Sequence, residues 1–312
     1  MEPEYIRFDW AMKRMLRDKA NHTVLEGLIT VLLGQKYTIT KILESEGNQE
    51  DENDKFNRVD ILAESDKGEL IIVEVQNTRQ LDYFHRILYG TSKAITEYIE
   101  KSDSYAKVRK VYSINIVYFS LGQGKDYIYH GKTVFHSLHN PEDILRLTEK
   151  QTIKFFGEQR AKEVGTEEAG AIFPEYYILK VNDFNSVAKT PLEEWMYFLK
   201  NGEISKDTRV PGLMEAREKL LVDSLSPKEK IAYRRTMENN RYEKSIMESG
   251  FEDGQDIGLK LGMEKGIALG REEGMAEMQT QFIKRLIAKG FDNETIAELS
   301  SVPIEEIQKY RG

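Results

Sequence analysis

The sequence predicts an α/β chain of the mixed α+β kind, a sheet with helices on its faces, followed by a helical C-terminal extension. Three observations predict it. Two apolar, β-branched runs flank SDKGE at residues 65–69, with an amphipathic segment and two more strand-like runs after them, giving the order β, β, α, β, β. From Asn140 onward helical patterns dominate. Near the C-terminus seven glycines recur at a fixed spacing of four, an internal repeat rather than loop composition.

Residues 5–37 carry two amphipathic helix signals. Ile6, Trp10, Met12 and Met15 form the first, and Val24, Leu25, Leu28, Ile29, Leu32 and Leu33 the second, with Glu26 inside that apolar segment. The acidic stretch ESEGNQEDENDKFN reads as an exposed loop before the hairpin. TRQLDYFHRILYGTSKAITEYIEKS then reads as a helix with Leu81, Phe84, Leu88 and Ile95 on one side, while Arg79, Arg86 and Lys93, seven residues apart, share another stripe. KVYSINIVYFSL and DYIYHGKTVFHSL read as strands, FPEYYILKVNDF as a short extended interruption, and TPLEEWMYFLKNG as an aromatic amphipathic helix. The expected organisation is a core over 1–140, a helical extension over 141–248, a glycine-repeat helix or tether over 249–279, and a small helical element over 280–312.

The hairpin carries the chemistry. ELIIVEVQ is apolar at nearly every position before Glu74, the pattern of a strand covered on both faces, where an ionised carboxylate needs a partner. Gly68 suits the left-handed position that closes a three-residue loop of Asp66, Lys67 and Gly68. Ser65 then faces Glu69, all cross-strand pairs have numbers summing to 134, Asp60 opposes Glu74, and Arg58 opposes Gln76. Opposed Cβ atoms lie roughly 4.5–5.5 Å apart, and two acids so placed repel unless a cation lies between them. The hard, oxygen-seeking cation for such a site is magnesium or manganese. Asp60, Glu74 and Gln76 share one face, and Val59, Ile61, Val73 and Val75 fill the other. A two-residue loop would shift the register and part the acids. The plainer reading is a surface hairpin with unpaired acids.

Cysteine is absent, which excludes disulfides and thiolate metal sites and is compatible with a reducing cytoplasm. The apolar run LITVLLG is too short to span a bilayer, so the chain reads as soluble and cytoplasmic. A formal net charge of -8 argues against a nucleic-acid partner only globally. Residues 42–76 hold eleven acids and three bases, whereas residues 77–110 hold seven bases and four acids, and local sign is what a phosphate backbone meets. His130, His136 and His139 read as polar strand residues before they read as a metal cluster. Tyr83, Phe84 and Tyr89, at helical spacing, read as core before base-stacking surface. No P-loop or nucleophile elbow is present.

Gly250, Gly254, Gly258, Gly262, Gly266, Gly270 and Gly274 each cost a helix roughly 1 kcal/mol relative to alanine. Their stripe would let another backbone approach closely, and the intervening charges exclude a membrane span. Two readings stand: a self-association helix, giving a homo-oligomer, or a flexible tether. The final segment has a helix ended by Gly290, a cap at Asp292 and Pro303 near the start of a last helix, which reads as a small helical cap or dimer contact ahead of a DNA-reading pair of helices.

FNRVDILAESDKGELIIVEVQ followed by RQLDYFHRILYGTSKAI resembles the core of the PD-(D/E)XK nuclease family transposases, also called recombination-promoting nucleases. FDWAMKRMLRDKANHTVLEGLITVLLG, FPEYYILKVNDFNSVAKTPLEEWMYFLKNGEI and the glycine-spaced tail are similar to family members too. The resemblance implies a restriction-endonuclease-like fold and metal-dependent hydrolysis of DNA, with Asp60 as the motif aspartate, Glu74 as its second acid, and Gln76 where many relatives of the wider superfamily carry lysine. The motif proline is replaced by Val59, which is no loss because proline is no ligand. On this reading Asp60, Glu74 and the Val75 carbonyl hold one or two Mg2+ or Mn2+ ions, with Glu26 adding a ligand through water or serving as a partly solvated structural acid. Gln76 orients the nucleophile. Arg86 with Tyr89 lines the site, or Arg86 pairs with an acid, and Arg79, Arg86 or Lys93 supplies the charge that glutamine lacks. The alternatives are a non-cutting nucleic-acid-binding oligomeric scaffold and an RNA nuclease on the same site.

Overall fold

The computed structural model describes residues 4–16, 18–43, 60–99 and 104–311. Its first helices, α1 (Phe8–Arg14) and α2 (His22–Leu33), bury the positions that the helical period marks: Phe8, Trp10 and Met12 in one, and Val24, Leu25, Leu28, Ile29 and Leu32 in the other. A strand that the sequence pattern left unassigned follows, β1 (Ile39–Leu43). The acidic stretch expected as a loop lies outside the described residues, as do Arg58 and Val59.

The hairpin of β2 (Ile61–Ser65) and β3 (Leu70–Gln76) has the expected register. Ile61 pairs with Val73, Leu62 with Ile72 and Ala63 with Ile71. Ser65 N donates to Glu69 O and Gly68 N to Ser65 O, both at 3.0 Å, closing the three-residue loop. Gly68 has φ +76°, which an L side chain adopts only at a cost.

The helix after the hairpin, α3 (Tyr83–Glu97), differs from expectation in start and in face. It begins at Tyr83, so Arg79 precedes it and the seven-residue cationic stripe is not continuous on one helix. It buries Tyr83, Ile87, Thr91 and Ala94, whereas Leu81, Phe84 and Leu88 are 89%, 51% and 57% exposed. The reason is tertiary. Ala94, with the partly buried Ile95, packs on Leu62, Leu70 and Ile72, and Ile87 and Tyr83 pack with Val117 and Phe119, so these positions fix which side of the helix meets the sheet.

The sheet is completed by β4 (Val111–Val117), β5 (Ile128–Gly131) and, after α4 (Glu149–Val164), by β6 (Glu175–Lys180). Its order is β1-β2-β3-β4-β6-β5, with β3, β4 and β6 parallel and the other neighbours antiparallel. The expected extended interruption is therefore an interior strand, and the sheet crosses the boundary expected at residue 140. Beyond it, α5 (Pro191–Asn201) starts in a capping box of Thr190 and Glu193, and α6 (Leu213–Lys219) packs on α2. That crossing is very close: a Cβ on Gly27 would lie 2.2 Å from Gly212 Cα, so no side chain fits there.

One compact unit covers Met1–Lys230 and a second Ile231–Gly312. A single helix, α7 (Pro227–Ala288), contains both boundaries expected at 248 and 279 and takes in the glycine repeat as helix. In the second unit α8 (Asn293–Ser300) and α9 (Ile304–Lys309) gather Ile296, Val302 and Ile307 against Ile283 and Leu286. Asp292 caps α8, its Oδ1 accepting from Thr295 N at 2.8 Å. Among the described residues no helix is long and apolar enough to cross a membrane.

Candidate active site

The candidate site lies at the Ile61 end of β2, beside the last residues of β3. Ladder pairing begins at Ile61, and one step further places half-buried Asp60 opposite Glu74. Asp60 Oδ2 accepts from Val75 N at 2.8 Å, so the side chain satisfies an amide of β3 that points towards the β2 side. The amide and carbonyl of a strand residue point to the same neighbour, so the Val75 carbonyl also faces the edge where Asp60 stands.

Glu74 is 4% exposed. Burial holds its carboxyl above the usual carboxylate range; Arg86 opposes the rise and the Asp60 charge adds to it. Arg86 Nη2 lies 2.5 Å from Glu74 Oε1, while Arg86 Nη1 donates to Gln80 Oε1 at 3.3 Å. The contact with Glu74 is a close, charge-assisted ion pair, and Arg86 Nε has no hydrogen-bond partner among the described residues. The Lys13 charge also acts on Glu74, in the favourable direction.

Two residues that border Glu74 or act on its charge escaped the sequence reading. Lys13 is exposed on α1, whose Asp9 is tied to the end of β3 by Asn77 Nδ2 donating to Asp9 Oδ2 at 2.9 Å. Asn115 stands beside Glu74 in the parallel ladder of β3 and β4. It accepts from Tyr83 OH at 3.3 Å, and burial, then the Glu74 charge, raises the Tyr83 phenol above its ordinary pKa. The signal for Asn115 was in the sequence: a polar residue inside the apolar run VYSINIVYF, the same anomaly that marks Glu74 in ELIIVEVQ.

The other expected residues are distributed as follows. Gln76 is half-buried at the last position of β3, two residues beyond Glu74 and on the same face. Glu26 is engaged elsewhere: its Oε1 accepts from Ile39 N at 2.7 Å and secures the start of β1. Arg79 is exposed ahead of α3, Lys93 pairs with Glu97 at 3.8 Å, and Tyr89 is partly exposed on α3 one turn beyond Arg86. His130 is bound to Glu175 at 2.8 Å and His136 to the Pro141 carbonyl at 2.5 Å.

Among the described residues no three His, Asp or Glu side chains gather into a group that could hold a metal. The candidate donors are the acids Asp60 and Glu74 and the Val75 main-chain carbonyl. All of these are hard oxygens, the set that suits Mg2+ or Mn2+.

The model for the PD-(D/E)XK nuclease family transposases matches residues 6–250, which takes in α1, the whole sheet and the first part of α7. Comparison with curated proteins and with solved structures returns no match. With a mixed sheet that presents Asp60 and Glu74 at one strand end, and a family match over most of its length, the chain belongs to the PD-(D/E)XK nuclease family transposases.

Proposed function

We propose that this chain is a Mg2+- or Mn2+-dependent endonuclease that hydrolyses DNA phosphodiester bonds. The observation that carries the reading is the pair of acids at the end of β3, one anchored to the Val75 amide and the other buried and only partly compensated. Asp60, Glu74 and the Val75 carbonyl would hold the cation, which when bound polarises the phosphate and lowers the pKa of water. Gln76 orients the attacking water through its amide. Arg86 positions Glu74, and Arg79, Tyr89 and Lys93 contribute contacts to the nucleic-acid backbone. The partners on this reading are DNA and a second copy of the chain along the glycines of α7.

Supercoiled plasmid incubated with purified protein is expected to be nicked with Mg2+ or Mn2+ and left intact with EDTA. Asp60→Ala and Glu74→Ala are each expected to lower the rate by about 10²-fold or more. Variants that cut as fast as the wild type would sink the proposal. A second reading, a nucleic-acid-binding scaffold that does not cut, is favoured by the close pairing of Arg86 with Glu74, which occupies one oxygen of the second acid. DNA retained in a mobility-shift assay without metal-dependent cutting would select it. A single-stranded RNA run beside the plasmid separates DNA from RNA cleavage.

A further inference from the structure

The helix that carries Arg86 to Glu74 also borders a cavity. Phe84 and Leu88, one turn apart on α3, line it together with Leu121 after β4, Tyr129 on β5, and Tyr176 and Ile178 on β6. It measures about 480 Å³, is half open to solvent, and is walled largely by apolar atoms. Small-molecule sites usually span roughly 300–1,000 Å³. No described side chain fills it, and Phe84 and Leu88 stay half exposed beside the buried Ile87.

The cavity and the acid pair share one face of the sheet. Glu74 pairs with Asn115, Asn115 with Ile178, and Ile178 with Tyr129, so these side chains stand in one row across β3, β4, β6 and β5. At roughly 4.8 Å per strand, Tyr129 lies about 14 Å from Glu74 along that row, the length of about four stacked nucleotides.

The aromatic walls are held in place. Tyr129 OH accepts from Asp126 N at 3.0 Å, and its ring centroid lies 5.7 Å from Lys180 Nζ. The Phe84 ring comes close to Gly122, where φ is +64° and an added Cβ would lie 3.8 Å from the ring. At the rim Gln123 is exposed and makes no hydrogen bond among the described residues, so its amide can meet the edge of a base. Lys125, two residues on, is exposed and makes no ion pair among them, and residues 77–110, which include α3, hold seven bases against four acids. An aromatic recess flanked by positive charge calls for a flat apolar ring carried on an anionic chain, which describes a nucleotide rather than an apolar peptide.

We propose that this cavity takes an unstacked base of the substrate strand, a few nucleotides from the phosphate at Asp60 and Glu74, and that the chain therefore acts on single-stranded or locally opened DNA ahead of closed duplex. The proposal rests on the endonuclease reading and names its substrate class. Every base has a π face to stack on the Phe84 and Tyr129 walls, whereas a base paired within a duplex must first be unstacked, at a cost in binding.

The test uses the full chain and short fluorescein-labelled DNA, single-stranded or as blunt duplex, with Ca2+ in place of Mg2+ to hold binding apart from cutting. In fluorescence anisotropy the wild type is expected to bind the single strand about 10-fold or more tightly than the duplex, Phe84→Ala to weaken single-strand binding by about 5- to 100-fold with duplex binding unchanged, and Phe84→Tyr to recover it. A second readout reports the stacking itself: the emission of 2-aminopurine placed in the single strand is expected to be quenched by the wild type and by Phe84→Tyr, and less by Phe84→Ala. Equal affinity of the wild type for the two DNAs, a Phe84→Ala loss shared by both, no recovery with tyrosine, or unchanged 2-aminopurine emission overturns the proposal. So does a lower mass of Phe84→Ala in light scattering, which would make this face a contact between copies of the chain. Failure of the endonuclease reading is distinguishable, because it appears as a wild type that never cuts, whereas a failed base site appears as nicking and binding without strand preference.

Discussion

Two glutamates of the sheet show what separates a structural acid from one with chemistry left to do. Burial pushes Glu175 up, but Lys110 Nζ and His130 Nε2, each at 2.8 Å, pull it below the ordinary carboxylate range, and Tyr177 OH donates to it at 3.3 Å. Burial also pushes Glu74 up, and there Arg86 and the more distant Lys13 do not outweigh it, with Asp60 adding repulsion. The first acid is satisfied; the second is short of positive charge. Because the folded pKa of Glu175 is depressed, its contribution to stability is fully present above its unfolded value and is lost as pH falls through the folded one. Lys110→Met is therefore expected to cost about 3 kcal/mol near neutral pH, with the difference from wild type shrinking in urea melts as pH drops below roughly 4. An undiminished difference at low pH would show that Lys110 acts through its bonds to the Ala171 and Phe173 carbonyls instead.

At the scale of elements, the hairpin was legible and the packing around it much less so. A short loop with glycine at its left-handed position fixes register through local chemistry, and register decides which side chains share a face, so Asp60 and Glu74 could be placed together from nineteen consecutive residues. The buried face of α3 could not. Counting apolar residues selects Leu81, Phe84 and Leu88, but the sheet selects Tyr83, Ile87 and Ala94, because Tyr83 bonds Asn115 on β4 and Ala94 leaves room for a close approach. β6 was underread for a related reason. It enters between β4 and β5 after a long excursion, a pairing that no local pattern encodes. The hairpin itself can be tested: Gly68→Val forces a β-branched residue to φ +76° and is expected to lower stability by roughly 1–2 kcal/mol in urea. Metal-dependent cutting should survive in the folded fraction, since the register is also held by the buried ladder. Lost cutting at full folding would mean that the loop alone sets the register.

At the scale of the whole molecule, the glycines of α7 pose an energetic problem that the monomer does not answer. Seven glycines in one helix cost about 7 kcal/mol relative to alanine, and a Cβ added at any of them would meet nothing within 4 Å. The residues flanking them are no better placed. Ile257, Leu259, Leu261, Met263, Ile267 and Leu269 are all more than half exposed, and they lie to either side of the glycine stripe. A second copy packed along that stripe would cover both, with the missing side chains allowing the backbones to approach closely. This proposal opposes two measurable tendencies. Replacing Gly258, Gly262 and Gly266 together by alanine improves intrinsic helix propensity by about 3 kcal/mol, so a helix that works alone should melt at higher temperature with an unchanged mass. A helix that works as a contact should lose its close approach and fall to a lower mass in light scattering at the same protein concentration, despite the better propensity. The second outcome is the expected one, and a triple variant that gains stability at constant mass would reject the contact.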